Sequence, residues 1–525
     1  MHDSRPAEGR SSAEDLAALF VSPPYPATEL LFAEADGDVR RSAAQLAAEI
    51  DRLAGGLQRL GVRAGDVVAV QLPTSQHALV AFAAVLRLHA TLLAVVDIYG
   101  SRELDHVLRD SGAVALVVRD AWRGRRAVDV VAALSGLPAL RSVIVVGSAE
   151  GNVVGTSSWN DLVSGQGVQP ELVEPSPADA AALLLYTSGT TAAPKGVQHD
   201  AASLLAEVHS IAEFVGEGPD SRPLQVFPAG HIGGVTGLLR GLVAGTAGVY
   251  LESWDPHRAA ELIERERLTF CAGAPVHLTM LLDAAEQDGR DLTSLRGFMT
   301  GAATVPPALV QRTDAVGFAT YRCYGSTEHP TVTSGRPEDP LDKRAFTDGR
   351  PLPGNELRIV DDEGHDVAAG AEGEVVSRGP ELFRGYRDSR LDAEAFLPGG
   401  WYRSGDIGRI DAEGYLAITD RKKDVIIRGG ENISSREVED VLEEHPAVVA
   451  AAAVAEPDPR YGERVCAFVV LRPGTALDLD EMRVHFRASG TAVQKTPERI
   501  IVVDELPRTP AGKIKKAELR AQLRA

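Results

Sequence analysis

LLLYTSGTTAAPKGVQH, residues Leu183 to His199, opens as an apolar run and then changes character abruptly. Ala181 to Leu185 suit a buried strand. Thr187, Ser188, Gly189, Thr190 and Thr191 then bring small or hydroxyl-bearing side chains, and Pro194, Lys195 and Gly196 close the segment. Small side chains let backbone N–H groups come close to an anion, the hydroxyls add donors, and the lysine adds a positive charge. This is the chemistry of a polyphosphate cradle. A Walker A loop needs glycine, four residues and then Gly-Lys-Ser/Thr. Here five residues separate Gly189 from Lys195, and Gly196 follows the lysine, so the pattern is a different one. A flexible Ser/Thr/Gly linker shares the composition, but a linker requires neither the strand before it nor the Pro-Lys-Gly end.

With 525 residues the chain is too long for one core, so two or more domains are expected. Its 54 Lys and Arg against 74 Asp and Glu give a net charge of −20, which argues against nucleic acid or an anionic membrane as the main partner. A local basic loop can still oppose that field and hold a nucleotide. Cys271, Cys323 and Cys466 lie far apart and form neither a disulfide framework nor a metal cluster, which points to a reducing cytoplasm. The N-terminus is acidic without a long apolar core; it reads as a loose lead-in over residues 1–25, not as a secretory signal. His77 to Val96 is the most apolar long stretch, but His77, Arg87 and His89 make it a buried helix running into a strand, so no integral membrane association is expected.

Apolar spacing over Ser42 to Leu60 predicts an amphipathic helix ended by Gly61. Strands are predicted at Val67–Leu72, Thr91–Val96 and Ala113–Val118, with helices at Ala78–Leu88 and Glu103–Ser111. The alternation resumes at Leu224–Pro228, Gly248–Leu251 and Leu268–Ala272. This is an α/β pattern of mostly parallel sheets covered by helices. Gly151 to Asp179, rich in Gly, Ser and Pro, reads as a surface connection. Toward the C-terminus, Val448–Val454, Val465–Leu471 and a helix at Leu479–Phe486 predict a compact α+β module.

Further motifs follow the cradle in order. Phe227-Pro-Ala-Gly-His-Ile-Gly-Gly234 precedes an apolar helical run, and Gly233 and Gly234 leave room beside His231. Gly297 to Val305 ends a strand in Gly301-Ala302-Ala303, small enough for a flat base to lie on the backbone. Tyr321 to Glu328 delivers Tyr324, Gly325, Ser326, Thr327 and a carboxylate, a hard oxygen ligand of the kind Mg²⁺ prefers. In Trp401 to Gly408, Asp406 follows a glycine turn and suits ribose hydroxyls. Tyr415–Thr419 and Val425–Ile427 read as short strands around the charged turn Asp420–Asp424, and a plain hairpin is the simplest reading. Gly429 and Gly430 precede a helix capped near Ser434. Lys513 stands on a Gly-containing loop near the end, with Lys515 and Lys516 reading as surface charge. Singly, each of these motifs would pass as an ordinary turn.

In this order, over roughly Ala27 to Arg524, the segments resemble the adenylate-forming superfamily of acyl-CoA synthetases, peptide-synthetase adenylation domains and luciferases. Ala192 stands where that family usually has a third cradle glycine. The resemblance implies a large N-terminal domain of stacked, mostly parallel sheets over residues 1–419 and a small mobile α+β domain over 420–525, hinged at Asp420. It implies that ATP or AMP is held by Thr187, Ser188, Gly189, Thr190, Thr191 and Lys195. Gly301, Ala302, Ala303, Tyr324, Gly325, Ser326, Thr327, Asp406, Ile418, Arg421 and Lys513 complete that set. Lys513, Lys195, Thr327 and Glu328 are the implied catalytic residues, with Glu328 the Mg²⁺ ligand. His231, Gly233, Gly301 and Gly325 are the implied acyl pocket, and Gly429 and Gly430 the implied CoA channel. The implied reaction joins a small-molecule carboxylic acid to CoA, with ATP and Mg²⁺, through an acyl-adenylate. A carrier-protein pantetheine as acceptor, adenylation alone, a catalytically silent nucleotide-binding regulator and a homo-oligomer stay open. Amino-acid adenylation is disfavoured because Phe227-Pro228-Ala229 holds no aspartate for an α-amino group, and no residue speaks for a light-emitting oxygenase.

Overall fold

The structure, a computed structural model, describes residues 16–126, 136–147, 156–169, 180–187, 194–214, 221–302, 305–421, 425–507 and 516–523, with single positions 129, 134 and 514. Among the described residues two large sheets dominate. In the eight-stranded sheet Thr91–Ala94, Val67–Gln71, Ala115–Arg119 and Ser142–Val146 run parallel, and Ala181–Thr187 joins them parallel to Thr91–Ala94. In the nine-stranded sheet five successive pairs, from Ala319–Tyr324 across to Glu29–Glu34, are parallel, and the outer pairs are antiparallel. The expected class, α/β with mostly parallel sheets, is what the chain adopts.

The helices Ala43–Arg59, Gln76–Arg87 and Ile232–Val243 share one apolar core with Leu30 and Phe32 of one sheet and Val68 and Leu92 of the other. Gln76–Arg87 is apolar all round because it is covered on every side, as a helix in the middle layer must be. A third, antiparallel sheet holds Gly373–Arg378, Trp401–Ile410 and Leu416–Arg421. A fourth, at the C-terminal end, is built on the long pair Val448–Asp458 and Gly462–Leu471.

Two expectations are corrected, and the plain alternative for a third segment falls. The lead-in is packed from Leu16 onward: the helix Leu16–Val21 buries Leu16 and Phe20 in the main core. The connection before the cradle is partly structural: Thr156–Ser158 extends the eight-stranded sheet, and Trp159–Val163 buries Trp159 and Leu162, three residues apart on one helix face. The charged turn at Asp420–Asp424 closes no hairpin. Leu416–Arg421 pairs with Trp401–Ile410, whereas Val425–Arg428 pairs with Glu431–Ser434, so the chain changes sheet between them. Two short strands near a turn signal a hairpin only if they pair with each other, and here Val425–Arg428 already has neighbours on both edges.

Candidate active site

Ala181–Thr187 and Lys195–Asp200 are antiparallel neighbours, with Thr187 opposite Lys195, so the cradle loop leaves and re-enters at one sheet end. Ser188, Gly189, Thr190 and Thr191 lie outside the described residues. Lys195 Nζ stands 5.0 Å from the ring centre of Tyr386, and the Tyr386 hydroxyl donates to Glu328 Oε1 at 2.8 Å. Tyr386 reaches this place on Gly385–Tyr386, which pairs with the Lys195–Asp200 strand. Burial, then the Glu328 carboxylate, pushes the tyrosine pKa far up, so its hydroxyl stays a donor. A cation, an aromatic ring and a carboxylate therefore stand in a row beside the loop. Among the described residues no three His, Cys, Asp or Glu gather as a metal cage. One carboxylate fits an ion that takes its other oxygens from phosphates and water, as Mg²⁺ does.

Tyr324, at the end of Ala319–Tyr324, donates its hydroxyl to Asp406 Oδ2 at 2.8 Å. Asp406 sits within the strand Trp401–Ile410 rather than after a turn. Gly405 before it is left-handed, at φ +73°, and the pairing with Gly373–Arg378 slips there. Such a bulge re-aims one side chain out of a ladder. Ile418 packs in the same apolar cluster as Tyr324, and its N–H donates to Asp348 Oδ2 at 2.8 Å. Asp420 and Arg421 have described backbone only, with Arg421 in register opposite Asp406; their side chains lie outside the described residues.

The loop from Gly325 to Glu328 is held from behind. A Cβ on Gly325 would lie 1.7 Å from the Pro330 carbonyl oxygen, so no other residue fits. The Ser326 N–H donates to the His329 carbonyl at 2.8 Å, and His199 Nε2 donates to the Thr327 carbonyl at 2.8 Å. Burial keeps His199 neutral by lowering its pKa. The sequence reading gives neither His199 nor Tyr386 a role; a histidine on the strand leaving the cradle was the available signal for the first.

A cavity of about 250 Å³ opens beside this loop. His231, Gly233, Gly301, Ala302, Gly325, Ser326 and Thr327 line it, together with Gly429 and Gly430. Val208, Ile211, Phe227, Phe270 and Met299 supply its apolar wall. Ala302 is left-handed at φ +64°, a strained conformation of the kind that concentrates at functional sites; Ala303 lies outside the described residues. Gly234 makes no room in this cavity. A Cβ there would meet the Pro228 carbonyl oxygen at 1.9 Å, so its smallness serves the turn into the helix Ile232–Val243. Glu207, Gln225, Thr236 and Arg240 also line the cavity, and the sequence reading named none of them.

Gly429 and Gly430 take φ +57° and +90°, and a Cβ on Gly430 would lie 3.2 Å from Ala274 Cβ. Next to them Glu431 Oε1 is 2.9 Å from His231 Nε2. Burial lowers the His231 pKa, but Glu431 outweighs burial and the net shift is upward; burial raises Glu431, and His231 outweighs it in the other direction. Lys495 bridges Glu437 at 2.7 Å and Glu103 at 3.4 Å. Lys513 lies outside the described residues, as does Lys515. Lys516 is not loose surface charge: its Nζ donates to Ser435 Oγ at 2.7 Å and pairs with Glu439 at 2.7 Å.

One further space adjoins the cavity, and a second adjoins that one. A small one of about 80 Å³ shares His231, Thr327, Gly430 and Glu431 with it and adds Tyr99, Gln494 and Lys495. A larger cleft of about 810 Å³ shares Gln494 with the small one and carries Arg123, Arg428, Arg483 and Arg487 against Asp129 and Glu498. The small space thus lies between the other two, meeting the cavity at Gly430 and the arginine-rich cleft at Gln494.

A family model described as AMP-binding enzyme matches residues 22–387, and one described as AMP-binding enzyme C-terminal domain matches residues 437–513. The chain belongs to this adenylate-forming family. It is 35% identical over 478 residues to the medium-chain fatty-acid–CoA ligase of Escherichia coli (strain K12), covering 90% of this chain and 84% of that one. Among solved structures it is similar to the amide bond synthetase McbA from Marinactinospora thermotolerans, at TM-score 0.85 and 30% identity, covering 97% and 99% of the two chains. It is also similar to a double mutant of the o-succinylbenzoate CoA synthetase MenE from Bacillus subtilis bound with its product analogue OSB-NCoA, at TM-score 0.82 and 27% identity, covering 97% and 98%.

Proposed function

We propose that the protein is an ATP-dependent, AMP-forming carboxylic acid–CoA ligase. The observation that carries this reading is the order of three neighbouring spaces: an arginine-lined cleft, a small space meeting it at Gln494, and a cavity meeting that space at Gly430. A nucleotide bearing several phosphates suits the arginines, a thin pantetheine arm suits the glycine passage, and an acyl group suits the cavity. The similarity to two enzymes named as CoA ligases or synthetases supports the same choice.

A carboxylate is a poor electrophile because hydroxide leaves badly. Attack of its oxygen on the α-phosphate of ATP forms the O–P bond and breaks the bond to pyrophosphate, giving an acyl-adenylate whose AMP leaves easily. The CoA thiol then attacks the acyl carbon, gives up its proton, and AMP departs. The protein's part is positioning and charge neutralisation. Lys195, with Thr187, Ser188, Gly189, Thr190 and Thr191, would hold the β- and γ-phosphates. Tyr324 and Asp406 would take the adenosine, with Gly301, Ala302 and Ala303 as the base's floor. Mg²⁺ supplies charge neutralisation on the phosphates; Glu328, fixed by Tyr386, would face it. Lys513 would bridge the carboxylate and the α-phosphate. A boundary near Asp420, with residues 1–419 and 420–525 as the two domains, fits the change of sheet after Arg421. Three free cysteines, and no described helix long and apolar enough to cross a membrane, fit the cytoplasm.

Pyrophosphate exchange across a carboxylic-acid panel, followed by mass spectrometry of the CoA products, tests the proposal. Exchange with at least one acid and a matching acyl-CoA is expected. A second reading, acyl transfer to an amine, draws on the likeness to McbA. Amide but no thioester from a mixture of CoA and amines would favour it, and no exchange at all would favour a silent regulator.

A further inference from the structure

The helix Ser101–Ser111 packs on the eight-stranded sheet, and its first turn touches the segment Gly490–Lys495 beside the C-terminal sheet. Glu103, 4% exposed, divides its two oxygens between these partners. Oε2 accepts from the Gly100 N–H at 3.0 Å and so caps its own helix. Oε1 accepts from the Ala492 N–H at 2.5 Å, with Lys495 Nζ at 3.4 Å. Lys495, itself buried, also reaches Glu437 at 2.7 Å. Gly100 has ordinary extended backbone, at φ −78° and ψ −177°, so its own helix does not require a glycine. The contact does: a Cβ there would lie 2.1 Å from the Gly490 carbonyl oxygen. A buried ion pair, a backbone hydrogen bond and a close backbone approach thus meet at one point.

This contact accompanies the seating of Gly429 and Gly430 on the cavity. Successive residues of Val448–Asp458 face opposite sides of the C-terminal sheet. Ala451 and Ala453 cluster with Ile426 and Ile433, which flank the Gly429–Gly430 turn. Ala452 and Val454 cluster on the other side with Ile514, the residue after Lys513. Bringing the Ile514 side to the cavity means turning that sheet, and turning it pulls Ala492 and Lys495 off Glu103. We propose that Gly100 and Glu103 are positioning residues for thiol transfer: they hold Gly490–Lys495, and with it the glycine passage, in place for acyl transfer to CoA, and adenylation does not use them. This rests on the ligase reading above, with Lys513 as its adenylating charge.

The test measures two half-reactions separately: pyrophosphate exchange with the best acid of a panel, and single-turnover acyl transfer from enzyme-bound acyl-adenylate to CoA. Gly100→Ala should lower transfer by about tenfold or more while exchange stays within about twofold or rises, because weakening the seated arrangement favours the other one. Glu103→Gln and Lys495→Met should each lower transfer, and the double variant should fall short of the product of the two effects. Cross-linking reports the arrangement without an activity assay. A Cβ on Gly490 would lie 3.5 Å from Arg102 Cβ, within disulfide reach. Arg102→Cys/Gly490→Cys should therefore oxidise to an intramolecular disulfide that abolishes exchange until it is reduced. Equal loss of exchange and transfer in Gly100→Ala and Glu103→Gln, or unchanged transfer in both, would overturn the proposal. So would a double-cysteine enzyme that does not cross-link, or one that still exchanges pyrophosphate when cross-linked. Absence of exchange with every acid in the wild type would instead overturn the ligase reading, and this proposal with it.

Discussion

The cavity at Phe227 and the arginine cleft flank the same small space, yet they are built on opposite plans. The cavity takes its wall mainly from the helices and strands between Glu207 and Thr331. The cleft is wide, and its wall joins Ile98–Asp129 residues to residues between Arg428 and Glu498. The first is fixed by the core of the large sheets. The second exists only while the C-terminal sheet sits against that core, through His231–Glu431 and Lys495–Glu103. Chemistry that needs only the cavity and the cradle can therefore be separated by mutation from chemistry that needs the cleft.

Lys513→Ala makes the sharpest separation. Adenylation should fall by about a thousandfold or more, as when a charge that meets the transition state is lost, while thioester formation from preformed acyl-adenylate stays within about fivefold. Equal loss of both, in paired half-reaction assays, would break the comparison. Gly430→Val should act the other way. With φ +90° and Ala274 Cβ at 3.2 Å from the added carbon, it should depress transfer to CoA by about a hundredfold, far more than pyrophosphate exchange. Arg487→Ala should raise the KM for CoA by about fivefold with little change in the KM for ATP, and dephospho-CoA should feel the change less.

The smallest effect is one of pH. Docked against Glu431, His231 has a raised pKa. Its contribution to docking is complete below the ordinary histidine value of about 6.5 and is lost as pH rises through the raised value. Both side chains are part-exposed, so the effect is modest. The KM for CoA should rise by about threefold from pH 6.5 to 9 in the wild type, and Glu431→Gln should flatten that slope. A steeper slope in the variant would show that another group governs docking.

The segments that stand out in the sequence are those whose proposed work falls to the backbone of a single loop: the Leu183–His199 segment, Gly301, Gly325 and Gly430. Tyr324 and Asp406 were legible as separate candidates, but not as a bonded pair. Residues whose role comes from distant partners left no local mark. Tyr386 meets Glu328 across 58 positions, in a stretch without a motif. Glu207 meets Thr331 across 124, and on its own helix it looks like any solvent-facing glutamate. At Asp420–Asp424 the plain hairpin alternative fails for a related reason. A hairpin and a crossing between sheets have the same local composition, and only the neighbours on either side distinguish them.

The passage at Gly430 also bears on how turnover ends. A thioester made here would be threaded: acyl group behind Phe227, arm beside Gly430, nucleotide among the arginines. A threaded molecule cannot slip out sideways, and its bulky ends cannot follow the arm through. Escape then requires the two lobes to part, so solvent viscosity should slow kcat while leaving single-turnover acyl transfer almost untouched.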